Sequence, residues 1–407
     1  MGAADQGFQQ EAAAVAEDMV RWRRHLHAHP ELSFQENATA KFVVDRLQEF
    51  GGLEVSTPTK TSVVAELVGG RPGPRLALRA DMDALPITEE SEFDFASQSP
   101  GVMHACGHDG HSAMLLGTAR VLNLLRADLP GHVRFIFQHA EELAPGGAKE
   151  LVGSGVMDDV DMVLGAHLDS LIAVGKIGIK AGPMMASADE FWITINGVGG
   201  HAAHPDLNVD SVAIAAQVVN NLQHVVARNA DPREALVVSV TQFHAGNAEN
   251  VTPGVAKLAG TVRSFQPELR RKTPELMERI IRGITAAHGA TYSFEYQYGY
   301  EAVINDAWVS QILGEAVGHA LGAERVVVAQ PSMGAEDFSV YETKAPGTFF
   351  RVGGGNQAKG ISYPHHHARF TVDEDAFPVG VQAFVAGSFA LLERFGAETK
   401  VRSGHPR

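Results

Sequence analysis

The stretch RLALRADMDAL, residues 75–85, opens as an apolar strand and closes on two acids, Asp81 and Asp83. The same design recurs in HVRFIFQHAEE (132–142) and DMVLGAHL (161–168), where a short apolar run, partly β-branched or aromatic, ends in polar residues. Between the first two lies DGHSAMLLGTARVLNLL (109–125), whose apolar residues recur at helical spacing. Alternating strands and helices predict an α/β domain with a mostly parallel sheet flanked by helices. Ligands in such sheets bind beyond the carboxyl ends of the strands, and all three ends here carry acids or histidines.

Upstream, residues 10–28 and 36–50 read as helices. Downstream the pattern changes near GPMMASADE (182–190). A strand EFWITING (190–197), a helix VDSVAIAAQVVNNLQHVVAR (209–228) and strands ALVVSVTQF (235–243) and VAKLAGTVRSF (255–265) follow, then a helix over 267–289 and an alternating strand over 290–300. The order βαββαβ predicts an α+β ferredoxin-like domain. It divides the chain into a catalytic α/β domain in two pieces, 1–187 and 301–407, with an insert at 188–300. The α/β pattern returns in ERVVVAQ (324–330) and TFFRVGG (348–354), followed by a helix from about Asp375 to Glu393. The polar tail KVRSGHPR (400–407) is expected to fray.

The chain has 407 residues, 45% of them hydrophobic and 20% charged, the balance of a globular protein with two or three domains. Lys plus Arg is 33 and Asp plus Glu is 48, a net charge of −15, which would be repelled by phosphate backbones and anionic lipid. Nucleic-acid and membrane-surface partners are therefore not expected. There is no long unbroken apolar run, no basic-then-apolar leader, and Gln6 stands where a myristoylation signal has Ser or Thr. The single cysteine, Cys106, cannot form an internal disulfide, which fits a reducing cytoplasm.

Five clusters carry chemistry. MHACGHDGH (103–111) offers Cys106, His108, Asp109 and His111; thiolate and imidazole suit zinc and similar borderline metals. Alone, Cys106 reads first as a small buried hydrophobe, with a nucleophile paired with histidine as another alternative. In HAEE (139–142), adjacent glutamates on an extended chain point apart. One can then bind metal while its neighbour faces water as general base; the alternative is a solvated acidic turn. GAHL (165–168) ends a strand on His167, otherwise a core or rim histidine. YPHHHARF (363–370) holds three consecutive histidines, otherwise a solvated loop, and ALRADMDALP (77–86) sets Asp81 and Asp83 on one face. Together the donors exceed what one tetrahedral zinc needs. Two metals roughly 3.5–4 Å apart, sharing a bridging group, fit the count better and leave a glutamate over as base.

In this order, RADMDALP, MHACGHDGH, HAEE, GAHL, GPMMAS, GGHAAHP, GTVRSF, MGAEDF and HHHARF resemble the amidohydrolase branch of the di-zinc aminoacylase/carboxypeptidase family. Hippurate hydrolase, N-acyl-amino-acid amidohydrolases and plant auxin-conjugate hydrolases belong to it. The resemblance runs from HAHPELSFQE (27–36) to the C-terminal helix. It implies two divalent metal ions per subunit, zinc first, with manganese, cobalt or nickel as alternatives. The implied ligands are Cys106, His108, Glu142, His167 and His366. Cys106 stands where relatives outside this branch have a bridging Asp. Asp81 stands where they have a ligating His, so that the site draws on His108 instead. Spacing to Phe370 favours His366, with His365 and His367 the alternatives.

Glu141 matches the general base, and Asp83 an acid that supports a ligating side chain. The resemblance further implies that the insert forms a homodimer and that His201 reaches the partner subunit's active site to help hold the oxyanion. Asn250 and Arg263 are implied substrate or carboxylate contacts, the arginine fork binding both oxygens. The implied activity is hydrolysis of N-acyl amino acids, small molecules such as hippurate, by a metal-activated water. A metal-dependent dipeptidase or carboxypeptidase, a non-catalytic ligand-binding relative, and a thiol enzyme with Cys106 as nucleophile are the competing readings.

Overall fold

Strands covered on both faces read as unbroken apolar runs, and the first of two units is built on them. The computed structural model describes residues 3–403, with side chains from 9 to 397. Its strands run β1 (Glu54–Ser56), β2 (Val63–Val68), β3 (Arg71–Asp81), β4 (Pro130–Gln138), β5 (Met162–Ala173) and β6 (Ile177–Ile179). A second unit contributes β7 (Asp189–Asn196), β8 (Leu236–Ala245), β9 (Val255–Ser264) and β10 (Thr291–Tyr298). The first unit then resumes with β11 (Val326–Val328) and β12 (Gly347–Gly355).

The first unit's eight strands lie in the order β1-β2-β4-β3-β5-β12-β6-β11. The four central strands β4, β3, β5 and β12 are parallel. Asp81 pairs with Gln138 and Arg79 with Gly165, so the acids of β3, the end of β4 and His167 of β5 share one carboxyl edge. The helices Asn37–Phe50, His108–Leu124, Ala307–Leu321 and Ala376–Ser403 supply the apolar side chains that bury the sheet. Gly107, at φ 95°, turns the chain from Cys106 into the buried helix His108–Leu124, in a left-handed conformation that glycine takes without strain.

Some sequence expectations need adjustment. The helix expected over 10–28 is two, Ala3–Ala14 and Ala16–Ala28. The C-terminal helix runs on to Ser403, so the first part of the expected frayed tail is helical; residues 404–407 lie outside the described residues. Within it, Ala376–Ala397 has the length and hydropathy of a membrane span, but 72% of its apolar window is buried inside the protein. That burial marks it as a core helix of the first unit.

The second unit comprises Met185–Val303 and Pro331–Glu336. The insert expected at 188–300 is three residues short at each end, and no sequence pattern signalled 331–336. Its strands lie antiparallel in the order β8-β9-β7-β10. Alternate residues Phe191, Ile193 and Ile195 of β7 are buried with the helices Ser211–His224 and Pro267–Ala287. The first helix starts where Asp210 accepts from the Val212 and Ala213 N–H groups, and gives way to a π-turn over Val225–Asn229.

Candidate metal centre

Five side chains from four segments converge at the carboxyl edge of the first unit. Cys106 Sγ lies 3.4 Å from His167 Nε2. Glu142 Oε1 lies 3.2 Å from His366 Nε2 and 3.9 Å from His108 Nε2. Atoms that share one tetrahedral zinc stand about 3.3–3.8 Å apart, given bonds near 2.0 Å to nitrogen and 2.3 Å to sulfur. Cys106 belongs to two groups, one with His108 and His167 and one with Glu142 and His366, each with its ligand atoms within 4.8 Å of one another. A sulfur common to two triads suits a pair of cations with a bridging ligand.

The far nitrogen orients each buried ring. His108 Nδ1 donates to the Asp83 carbonyl oxygen at 2.9 Å, and His167 Nδ1 to the Leu168 carbonyl oxygen at 2.7 Å. Carbonyls only accept, so Nε2 is the atom each ring turns to the cluster. Buried His108 Nε2 and Glu142 Oε1 make no well-formed hydrogen bond, a rare condition for buried polar atoms, and their near neighbours are other donors of the cluster. Thiol, imidazole and carboxylate together fit a divalent cation of zinc's kind.

Burial and the charges gathered here shift the cluster's titratable groups. Burial pushes the Cys106 thiol up, and Glu142 adds to it. Burial works against charge on His108, but Asp81 and Asp83 outweigh it and hold the ring well above its ordinary value. His366 is pushed up to about 10 by its hydrogen bond with Cys106 and then by Glu142. Thiolate and neutral imidazole are the forms that bind a cation, so binding at these residues is coupled to their protonation. His167 is the exception: burial, then His111 and Arg351, hold it well below its usual value and neutral.

Asp83 meets the cluster at the His108 ring and at the backbone of Glu141 and Glu142. Its Oδ1 accepts from Glu141 N–H and its Oδ2 from Glu142 N–H, each at 3.0 Å, and Ser33 Oγ donates to Oδ2 at 2.7 Å. Burial alone would raise Asp83, but the hydrogen bond with His108 and these donors outweigh it and lower its pKa. The strand ends at Gln138, and Ala140 takes a left-handed φ of 48° while Glu36 accepts its N–H at 2.8 Å. The extended geometry that would point Glu141 and Glu142 apart is thus absent, and both carboxylates group with His108.

Other singled-out residues stand elsewhere. Asp109 accepts from Arg23 Nε and pairs with His27 Nδ1, both at 2.8 Å. His111 bridges Asp81 and the Leu168 N–H. Of the three consecutive histidines, His365 Nε2 donates to the Leu168 carbonyl at 2.8 Å, and burial pushes it down to about 4. His367 stacks on Tyr363 with ring centroids 4.4 Å apart. His366, at φ 64°, is the one grouped with Cys106 and Glu142.

The sequence profile of peptidase family M20/M25/M40 matches residues 77–387. The chain belongs to this family. An N-acyl-L-amino acid amidohydrolase of Geobacillus stearothermophilus is 62% identical over 291 residues, 72% of this chain and 79% of that one. An N-acetylcysteine deacetylase of Bacillus subtilis is 44% identical over 376 residues, 92% of this chain and 97% of that one. Among solved structures, a dinuclear metal-binding M20 peptidase of Bacillus subtilis superposes with a TM-score of 0.83 at 41% identity, covering 94% of this chain and 99% of that one. The ordered motifs point to the same family, and this M20 chain is a metal-dependent hydrolase of amide bonds.

In the M20 chain's second unit, His201 pairs with Val251, and Ala202 N–H donates to the Asn250 carbonyl at 3.0 Å, which makes His201 and Asn250 neighbours. His201 Nδ1 accepts from Ala203 N–H at 3.0 Å, so its exposed ring carries its proton on Nε2. Arg263 is half-buried on β9, opposite Val237 of β8, and burial lowers its pKa. Sequence reasoning missed the buried lattice of Arg79, Gln138 and Asp337. Arg79 donates to Asp81, Gln138 and Asp337 at 2.8–2.9 Å, and Gln138 Nε2 reaches both Asp337 oxygens at 2.8 Å. An arginine inside the apolar run RLALRAD was its signal, because a buried guanidinium needs acceptors.

Proposed function

We propose that this M20 hydrolase cleaves the amide bond of N-acyl amino acids. In this reading Cys106, His108, Glu142, His167 and His366 hold two divalent cations, zinc first among them. The observation that carries it is the pair of donor triads sharing Cys106, their donor atoms drawn together at ligand spacing while buried His108 Nε2 and Glu142 Oε1 make no well-formed hydrogen bond. The substrate class is supported by the relatives named for N-acyl-L-amino acids and for N-acetylcysteine, each an amide of an amino acid.

Bound cations supply Lewis acidity that polarises the carbonyl and brings the pKa of a water toward neutrality. Glu141 takes that water's proton and returns it to the leaving amine. Asp83 holds the base in place through the backbone of Glu141 and Glu142. His201, with its proton on exposed Nε2, donates to the developing oxyanion in the active site of a second copy, so the enzyme works as a homodimer. Such a donor contributes about 2.7–4 kcal/mol in the transition state. Asn250 and Arg263 take the substrate's carboxylate.

The test is a hydrolysis panel of hippurate, N-acetyl amino acids and dipeptides with metal-reconstituted protein. Acyl amino acids are expected to exceed dipeptides by at least about tenfold in kcat/KM. The reverse order favours a metal-dependent dipeptidase or carboxypeptidase, the reading that the dinuclear peptidase neighbour supports. Loss of activity with chelator and its return with metal separates both from a thiol enzyme.

A further inference from the structure

The backbone around Leu168 is gripped from two directions at the edge of the cluster. His111 Nδ1 stands 2.6 Å from Asp81 Oδ1, and Leu168 N–H donates to His111 Nε2 at 2.8 Å. A carboxylate accepts and an N–H donates, so His111 carries its proton on Nδ1 and commits its other nitrogen to Leu168. No ring nitrogen is left for a cation, although His111 groups with Asp81 and His108 within 4.8 Å. Asp81 is itself fixed: its Oδ2 accepts from Arg79 and its carbonyl from Ser112 Oγ. On the other side, the Leu168 carbonyl accepts from His167 Nδ1 at 2.7 Å and from His365 Nε2 at 2.8 Å. One residue's backbone therefore joins His111 to the ring of His167 and, through His365, to the segment that carries His366. Asp81, His111 and Leu168 are all buried.

We propose that His111 is a positioning residue of the metal centre. As acceptor for the Leu168 N–H it fixes the backbone whose carbonyl orients His167 and anchors His365, and so it sets the spacing of the two donor triads. The inference rests on the reading of Cys106, His108, Glu142, His167 and His366 as ligands. It assigns His111 an effect on cation affinity without coordination.

The experiment measures zinc dissociation constants by competition with a chromophoric chelator, and visible spectra of the cobalt(II)-loaded protein, for wild type, His111→Gln and His111→Asn. Gln places a carbonyl acceptor near the former Nε2. Asn keeps a donor toward Asp81 but falls short of Leu168. His111→Asn is expected to bind zinc about 10–100-fold more weakly, with an altered cobalt spectrum, whereas His111→Gln stays close to wild type. Wild-type affinity in His111→Asn overturns the inference, and so does equal weakening in both variants. Should His111→Asn fail to fold, His365→Leu tests the same clamp from the carbonyl side; weakened zinc binding there supports it and unchanged binding overturns it. Zinc lost in Cys106→Ser but retained in His111→Asn overturns only this inference. A wild-type protein that takes up no zinc overturns the ligand reading beneath it.

Discussion

Two buried polar clusters, one in each unit, differ in a single respect. In the second unit, Asp189 is fully buried and accepts from Arg270 Nε and Nη2 at 2.6–3.1 Å, from Tyr296 Oη at 2.9 Å and from Gly299 N–H at 3.1 Å. Burial and then Asp189 keep the Tyr296 hydroxyl protonated far above its usual range. No side-chain atom of Asp189, Arg270 or Tyr296 is buried without a partner. In the first unit's cluster, His108 Nε2 and Glu142 Oε1 make no well-formed hydrogen bond and face other donors of the cluster. A complete buried network serves the fold, because removing one member strands a charge. An incomplete one is costly to the fold alone and is explained by what it is built to hold.

The largest expected effect falls on the chemistry of the incomplete cluster. Glu141→Gln should lower kcat by about 10²–10⁴-fold with metal content unchanged; a variant with wild-type kcat would remove Glu141 as the base. Next comes the complete cluster. Arg270→Ala should lower the free energy of unfolding by about 3–5 kcal/mol in a denaturant titration and leave zinc affinity per folded molecule as it was. Stability unchanged by that substitution would break the contrast from the other side. Cys106→Ala should do the opposite: metal occupancy falls in elemental analysis, while the unfolding midpoint of the chelator-treated protein moves little, because the hydrogen bonds lost are those of a thiol, which are weak. Full occupancy in Cys106→Ala would sink the sulfur as a ligand.

How much of this could be read beforehand depends on distance along the chain. The parallel sheet follows from unbroken apolar runs and the βαββαβ unit from periodicities of 2 and 3.6, and all of these are local to a segment. The gathering of Cys106, His108 and Glu142 was readable from a strand end and a helix start at the carboxyl edge of a parallel sheet; His167 lies level with that edge, although its strand runs on to Ala173 instead of ending there, and His366 lies in a loop between Gly355 and Ala376. The choice of partner was not readable. His111 and Asp109 lie within three residues of His108, yet one bonds the backbone of Leu168, 57 positions away, and the other Arg23, 86 positions away. Spacing does not say which nitrogen of a ring finds which acceptor. Among His365, His366 and His367, spacing to Phe370 favours His366, the one grouped with Cys106 and Glu142, but does not show the left-handed turn that sets it apart.

The Arg23–Asp109–His27 group offers the finest test, since it is a complete cluster directly behind the incomplete one. His27 pairs through Nδ1 with Asp109 at 2.8 Å and through Nε2 with Glu89 at 3.1 Å. Burial and Arg23 oppose its charge, but the two carboxylates outweigh them and raise its pKa. Asp109 stays ionised across the neutral range, since Arg23 and His27 overcome its burial and hold its pKa far down. A raised pKa means that the native state binds the proton more tightly than the unfolded chain does. The stabilisation is then complete below the unfolded value of about 6.5 and fades as pH rises through the native one. Urea unfolding of wild type and His27→Gln from about pH 5.5 to about 9 should show a stability gap that narrows with rising pH. A gap independent of pH would mean that His27 is held by shape rather than charge. A fall in zinc affinity in the same variant would mean that the complete cluster belongs to the metal centre after all, and that a full set of partners does not by itself mark a structural network.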